Sequence, residues 1–305
     1  MAVSFSNDIM PLFNQFSGQM MWRLDLTNYD QVKANAQIIY AQINSGGMPP
    51  PPFDPLTLEQ IQLFQQWMSE GFAEFSASLY VQFVRQDLKK FLDYWDHQRD
   101  LITQSGPATR DIKPYTIGPV TQGYRLSNAK TRAAYQFLVY PKGAYILHMI
   151  RMMFFTARDR DARFQVLMHD FVQTYFNHDV STEDFKRIVE KHMSKDMDLD
   201  GNQRLDWFFN EWVYGTEMPS YKFEYQLSPD GSAISGRITQ SGVSDNFKML
   251  VPIYLDFGKG FNRIGSATLR GNTSVEIKDL KMPQPIKRAA ICAMDDVLAL
   301  SIQNK

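Results

Sequence analysis

Apolar and polar residues follow two different periods along this chain. From the start to about Phe64, and again from about Trp67 to Gly215, apolar residues recur at the spacing of a helix. From about Tyr221 to the end they alternate with polar residues, as in a half-buried β-strand. The pattern predicts two helical zones followed by a β zone, without an internal repeat.

The first zone carries signals for helix starts and stops. Asn28 is placed to cap a helix that ends at Gly46-Gly47. The prolines at 49–52 predict a rigid polyproline II spacer. Residues 57–60 read T-L-E-Q, the spacing of a capping box, and predict a further helix. Its apolar face is predicted to contain Ile61, Phe64, Trp67 and Met68.

The second zone continues in the same period. One helical stripe is predicted to contain Phe75, Leu79, Phe83, Leu88 and Leu92. Pro141 stands where the first turn of a new helix would begin, and Ser181 opens another helix. The last helix contains Trp207 and Trp212 and ends at Gly215.

The third zone reads as short strands separated by turns. Residues 223–227 precede P-D-G at 229–231, a turn signal, and a second strand follows over 234–238. Strands are also predicted at 251–255, 266–269 and 274–277. The predicted fold is α+β and multidomain: a small helical module over 1–66, a helical domain over 67–219 and a β-sandwich over 220–305.

Composition narrows the function classes. The 305 residues are 44% hydrophobic and 21% charged, with a net charge of −1, which leaves no basic excess for neutralising nucleic-acid phosphates. The one cysteine, Cys292, excludes an internal disulfide and is expected to be a core thiol. No signal peptide and no apolar run of about 18 residues is visible. We therefore expect a cytoplasmic protein without a membrane partner.

Several sequence blocks occur in one order. Residues 67–75 read W-M-S-E-G-F-A-E-F, 139–149 read V-Y-P-K-G-A-Y-I-L-H-M, and 206–215 read D-W-F-F-N-E-W-V-Y-G. Together with the strand zone, including V-P at 251–252 and D-D-V-L-A at 295–299, these blocks resemble the membrane-alanyl-aminopeptidase family of gluzincin metallopeptidases. The resemblance covers roughly three-quarters of the chain, and it implies an immunoglobulin-like fold for the sandwich.

The resemblance implies roles for two residues. Glu70 matches the family's third zinc ligand, and Tyr140 matches the tyrosine that stabilises the oxyanion. The other two ligands and the general base come from H-E-x-x-H, which the family's spacing places about nineteen residues upstream of Glu70. Residues 47–51 there read G-M-P-P-P, and the family's G-x-M-E-N loop for the substrate amine is also missing. Glu70 is thus a vestigial ligand by resemblance, and no cofactor is expected.

The first zone weakly resembles a small helical module appended to various bacterial proteins. The module's last helix reads W-[IM]-x-[DEG]-G, so residues 67–71 fit both families. We hypothesise a fusion, natural or constructed, at this shared string. It predicts one continuous helix through 67–72.

Other candidate sites have simpler interpretations. Glu70 and Glu74 share a helix face and form an acid/base pair, a cation site or two solvated carboxylates. His148 lies in an apolar pattern typical of a core histidine, and His169 and His178 form at most a fortuitous metal site. Residues 196–201, D-M-D-L-D-G, imitate a calcium loop, but position twelve falls on Trp207, where a glutamate is required.

Two function classes remain open. The first is a non-catalytic, zinc-peptidase-like protein that binds a peptide or protein partner or forms a homo-oligomer through exposed apolar surface. The alternative is a zinc-dependent aminopeptidase whose metal site is completed by another chain, with Glu70 and Tyr140 completing the site.

Overall fold

The computed structural model describes residues 5, 9–57, 59–61, 70–126, 128–176 and 180–305. Helices dominate up to Trp212 and strands follow from Ser220, so the fold is mixed α+β. The chain divides into two units, Met1–Ala73 and Glu74–Lys305. Within the described ranges no helix has the length and apolarity needed to cross a membrane.

The first unit contains four described helices: α1 (Met10–Asn14), α2 (Ser17–Met20), α3 (Tyr29–Ala34) and α4 (Ala36–Asn44). Asn28 caps α3 as predicted, since its Oδ1 accepts from the backbone N–H of Gln31 at 3.1 Å. The predicted single helix is interrupted at Asn35, whose side-chain amide donates to the Gln31 carbonyl at 2.9 Å. The apolar face still points inward, with these residues buried: Val32, Ala36, Ile39 and Ile43.

The proline run does not form the extended spacer that its composition predicts. The backbone N–H of Phe53 donates to the Pro50 carbonyl at 3.2 Å, which makes a turn. Met48, just before the run, is buried in the core of this unit. The capping box at Thr57 is confirmed: its N–H donates to Gln60 Oε1 at 2.8 Å, and the Gln60 N–H donates to Thr57 Oγ1 at 3.3 Å.

Residues 67–69, part of the string shared by two families, lie outside the described residues. The described part from Glu70 onward is helical. The fusion hypothesis therefore stays a prediction.

The helices that follow are α5 (Glu70–Leu79), a π-turn (Tyr80–Val84), α6 (Leu88–Thr103), α7 (Arg132–Phe137), a second π-turn (Leu138–Lys142), α8 (Gly143–Phe154), α9 (Ala162–Thr174), α10 (Thr182–His192) and α11 (Asp206–Trp212). Pro141 does not begin a helix; it lies inside the run from α7 to α8. Proline has no N–H to donate and crowds the carbonyl four residues back, and the wider π-turn accommodates it.

The predicted stripe from Phe75 to Leu92 holds only in part. Phe75 is buried, whereas Phe83 and Leu88 are exposed. The stripe assumed a uniform helical period, but the π-turn Tyr80–Val84 adds a residue to one turn and rotates the residues after it. Phe83 consequently leaves the buried face. Leu88 lies beyond the end of this helix: residues 85–87 are not helical, Gln86 has a φ of 53°, and Leu88 begins α6.

In the described part of the chain, seven strands form two sheets: β1 (Ser220–Leu227), β2 (Ala233–Ser241), β3 (Lys248–Asp256), β4 (Phe261–Arg270), β5 (Thr273–Lys281), β6 (Arg288–Ile291) and β7 (Ser301–Asn304). One sheet has the order β5-β2-β1-β7 and the other β4-β3-β6. All pairs are antiparallel except β1 with β7. All five strands predicted from the alternation are present.

The two sheets share one core, to which Phe223 and Ile238 contribute from one sheet and Val251 and Leu269 from the other. The predicted β-sandwich therefore forms; its immunoglobulin-like assignment stays a prediction. The same core continues into the helices of this unit through Trp212 and Phe208. The three-part division at 66 and 219 is a prediction that the two-unit division does not test.

Within the second unit the sandwich packs on α6, α8 and α11, and we call this boundary the seam. His148 Nε2 lies 2.9 Å from the Met294 carbonyl oxygen. Arg263 on β4 donates to the carbonyls of Met152 and Phe155 at the end of α8. The two bonds from Arg263 satisfy carbonyls that the end of α8 leaves without helical partners.

Candidate functional site

Tyr140 lies in the second π-turn, and its side chain is half-buried. The neighbouring Pro141 and Lys142 are buried. Because α6, α7 and α8 all pack against this π-turn, the position of Tyr140 is fixed by the helical core.

Lys142 links this turn to α11. Its Nζ donates to the Gly215 carbonyl at 3.1 Å, just beyond the end of that helix. Burial lowers the pKa of Lys142 to about 8, because the charged ammonium is disfavoured away from water. Two of the blocks that carry the family resemblance, 139–149 and 206–215, are thus joined by a hydrogen bond.

Of the predicted carboxylate pair, Glu74 has an identified partner. The Tyr94 hydroxyl donates to Glu74 Oε2 at 2.8 Å and lies 2.7 Å from the Glu74 carbonyl oxygen. Burial and this carboxylate raise the pKa of Tyr94 far above its usual value. The backbone of Glu70 is helical, while its side chain lies outside the described residues. The structure therefore does not test the roles of Glu70 and Tyr140.

The segment at the family's zinc-motif spacing has a structural role here. Met48 is 4% exposed, and its N–H donates to the Gln42 carbonyl at 3.0 Å. It packs with Ile39 and Ile43 of α4. This stretch is a loop that contributes Met48 to the hydrophobic core of the first unit.

The described histidines are dispersed. His148 is fully buried, as predicted for a core histidine, and His169 is exposed. His192 Nε2 lies 2.6 Å from Asp170 Oδ2, which also accepts from Lys191 Nζ at 2.8 Å. Hydrogen bonds from these two side chains lower the pKa of Asp170 to about 2. His178 lies outside the described residues.

The acidic turn at 196–201 uses its carboxylates internally. Asp198 Oδ1 accepts from the N–H groups of Asn202 and Gln203 at 2.9 and 3.1 Å. Asp200 is paired with Lys248. This agrees with an acidic turn before α11 rather than with a calcium loop.

Four large apolar side chains between residues 80 and 88 are exposed, and we call them the apolar strip: Tyr80 (55% exposed), Phe83 (50%), Val84 (65%) and Leu88 (54%). Arg85 lies among them and is exposed. Beneath the strip, the Arg151 guanidinium lies 5.4 Å from the centre of the Phe83 ring and forms two 2.7 Å hydrogen bonds with Asp161. The half-exposed ring of Phe83 thus keeps a contact with the buried Arg151.

The sequence did not single out two carboxylates of the seam, the half-buried Glu211 and the buried Asp295. Glu211 Oε1 accepts from the Lys248 N–H at 2.6 Å, and Asp295 Oδ1 accepts from Arg99 Nη1 at 3.0 Å. Burial raises the pKa of Glu211 to about 8 and that of Asp295 to about 7. The one sequence feature that could have indicated a buried carboxylate is the D-D pair at 295–296, which stands directly before an apolar run.

No protein-family model matches the chain, and no curated protein matches it. Among the solved structures that do match is Legionella pneumophila aminopeptidase A in complex with aspartic acid, at 15% sequence identity and a TM-score of 0.44. The match covers 77% of this chain and 24% of that chain. The chain therefore spans about a quarter of the length of that structure.

Proposed function

We propose that this chain is a catalytically silent relative of the gluzincin aminopeptidases that binds a peptide segment of a partner protein. The observation that carries the first half is the segment around Met48, which stands at the family's zinc-motif spacing and is packed into a hydrophobic core. No H-E-x-x-H occurs anywhere in the 305 residues. Two zinc ligands and the general base of the family mechanism have no counterpart in this chain.

The apolar strip supports the second half. Adjacent exposed apolar side chains are typical of interaction sites. Asp87 and Lys89 nearby are paired with Lys90 and Asp93, whereas no ion-pair partner of Arg85 is found within the described ranges. The chemistry that fits is a peptide with apolar side chains and a carboxylate.

Self-association through the strip fits less well. A symmetric pair of copies would bring the same surface of each together, and with it two Arg85 cations. Like charges in an interface without counter-charges weaken association. The proposal therefore commits to a segment of another protein.

Metal content tests the catalytic half. The purified chain is dialysed against zinc, then against metal-free buffer, and measured by metal mass spectrometry. We expect far less than one zinc per chain and no hydrolysis of aminoacyl coumarin substrates. About one zinc per chain, lost in Glu70→Ala and kept in the exposed control Glu276→Ala, would overturn the proposal in favour of a zinc peptidase.

Peptide selection tests the binding half. A displayed library of random peptides is panned on the wild type and on the Phe83→Ser/Val84→Ser variant. We expect peptides rich in apolar residues and carboxylates to be enriched on the wild type alone. The control is Val166→Ser/Val172→Ser, which removes two exposed valines of α9. Equal enrichment on the strip variant, or a concentration-dependent dimer of the wild type that this variant abolishes, would contradict the proposed partner.

A further inference from the structure

The carboxyl groups of the half-buried Glu211 and the buried Asp295 link the sandwich to the helices at two separate places in the seam. Glu211 on α11 accepts the backbone N–H of Lys248, the first residue of β3. Asp295, in the turn after β6, accepts from Arg99 on α6. Each bond joins a helix to the sandwich through a carboxyl group that is largely removed from water.

The turn that contains Asp295 has an unusual backbone. Cys292 and Asp295 both have positive φ, 51° and 53°, which is uncommon for residues with side chains. The Asp295 N–H closes the turn on the Cys292 carbonyl at 3.0 Å. Such residues persist only where the surrounding structure holds them, and here the helices supply the contacts.

The charged and titratable groups that face Asp295 come from several elements: Asp96 and Arg99 on α6, Tyr145 on α8, and Cys292 and Asp296 in its own turn. Asp296 is buried as well, bonds to the Tyr254 hydroxyl at 2.6 Å and faces Arg263. Two acidic groups, Asp96 and Asp296, therefore oppose the ionisation of Asp295, and Arg99 favours it.

The surroundings of Glu211 are similar in kind. Its Oε2 is buried and has no hydrogen-bond partner among the described residues. Lys248 faces it as a counter-charge, Glu217 and Asp200 as like charges, and Tyr221 as a buried hydroxyl. A cavity of about 300 Å³ lies beside it, lined among others by Trp207, Asn210 and Phe247. Glu211 is itself one of the residues that line this cavity.

We propose that the seam is a pH-sensitive latch, in which ionisation of Glu211 and Asp295 weakens the docking of the sandwich on the helices. A carboxylate without full hydrogen bonding is costly inside the seam and is relieved by hydration once the seam opens. The latch is closed while both groups are protonated. It is independent of the binding role proposed above.

The direction follows from the pKa values of the two groups. The pKa values of both groups are higher in the folded chain than in the unfolded chain. Their contribution to the stability of the closed seam is therefore fully present at acid pH, and it is lost as pH rises through about 7 for Asp295 and about 8 for Glu211. Burial lowers the pKa of His148 to about 3, so its effect on stability has the opposite sign: stability rises with pH. That rise is nearly complete at pH 6.5, the ordinary pKa of histidine. Between pH 6.5 and 8 His148 therefore adds nothing further, while Lys142, whose pKa is lowered to about 8, begins to raise stability and opposes the loss caused by the two carboxyl groups.

Hydrogen exchange of the full chain tests the latch. Protection factors, corrected for the intrinsic pH dependence of exchange, are measured for peptides covering 243–250 and 292–299. We expect wild-type protection to fall between pH 6.5 and 8, about fourfold through Asp295 and about fifteenfold through Glu211. Peptides from α10, which neither group contacts, serve as the internal reference.

Two substitutions separate the carboxyl groups. Glu211→Gln and Asp295→Asn keep an acceptor oxygen and remove the ionisation, so each is expected to flatten the profile of its own peptide. Asp93→Asn and Glu276→Gln make the same chemical changes at exposed sites and are expected to leave the wild-type profile intact. A flat wild-type profile would overturn the latch even if a variant did not fold, and so would profiles that the two seam substitutions leave unchanged.

Discussion

Trp95 and His148 stack face to face at the seam, with ring centroids 4.1 Å apart and planes 11° from parallel. His148 Nε2 bonds the Met294 carbonyl, and the side chain is fully buried. Burial and the Arg151 cation lower the pKa of His148 to about 3, so the imidazole is neutral in the folded chain. The stack is thus formed by an uncharged imidazole.

Acid is expected to destabilise the fold through His148. Because the pKa of His148 is lower in the folded chain than in the unfolded chain, the neutral imidazole contributes stability above pH 6.5. This stability is lost as pH falls toward 3. His148→Gln removes the titration, and we expect it to lose less stability than the wild type between pH 6.5 and 4.5 in urea unfolding. At pH 8 the variant should be about 1 kcal/mol less stable, because the aromatic stack is gone. The exposed His169→Gln should reproduce the wild-type profile; if His148→Gln does so too, His148 does not carry the acid sensitivity.

Lys142 is expected to change the stability of the fold in the alkaline pH range. The pKa of Lys142 in the folded chain, about 8, lies below its ordinary value of 10.5, so wild-type stability should rise as pH increases from 8 to 9.5. Lys142→Met has no ammonium to bury, and its stability over this range should lack that rise. Urea unfolding at pH 8 and 9.5 measures both. The exposed Lys89→Met is the control, and a wild-type-like rise in Lys142→Met would contradict the assignment.

The buried pair of Arg151 and Asp161 should be sensitive to the loss of one partner. Asp161→Asn leaves the buried guanidinium without its counter-charge, which costs about 3–5 kcal/mol. Glu276→Gln breaks the exposed pair with Arg237 and should cost about 0–1 kcal/mol. Free energies of unfolding from urea titrations compare the two. Equal losses would mean that burial does not set the strength of the first pair.

Ser181 caps α10 through a reciprocal pair of bonds with Asp184, at 3.2 Å and 2.8 Å. Ser181→Ala should lower the free energy of unfolding by about 1 kcal/mol, because an N–H of the first turn loses its acceptor. Thr182→Ala, one residue further on, keeps the cap and should change stability by less than half as much. The prediction is wrong if the two variants are equally stable.

Local sequence signals predicted the parts of the fold that depend on neighbours in the chain. The caps at Asn28, Thr57 and Ser181 form, and alternation located all five predicted strands. These features depend on residues three or four positions apart, or on a period of two, and both are readable from one sequence.

Features that depend on distant contacts could not be predicted in this way. The partner of Glu211 lies 37 positions away in the sequence, and the partner of Asp295 lies 196 positions away. The surroundings of these two carboxyl groups are therefore set by contacts that no local pattern reveals. The exposure of Phe83 follows from a π-turn, which shifts the helical phase without a local sequence signal. Family resemblance named Glu70 and Tyr140 as site residues, and their roles stay predictions.

The bonds from Arg263 to the end of α8 also bear on how the second unit folds. A fragment that stopped before β1 would leave the carbonyls of Met152 and Phe155 without this donor, and the isolated sandwich would leave Arg263 without its acceptors. Each half thus completes the hydrogen bonding of the other. Neither the helices nor the sandwich of this unit is therefore expected to keep its full stability when it is produced as a separate fragment.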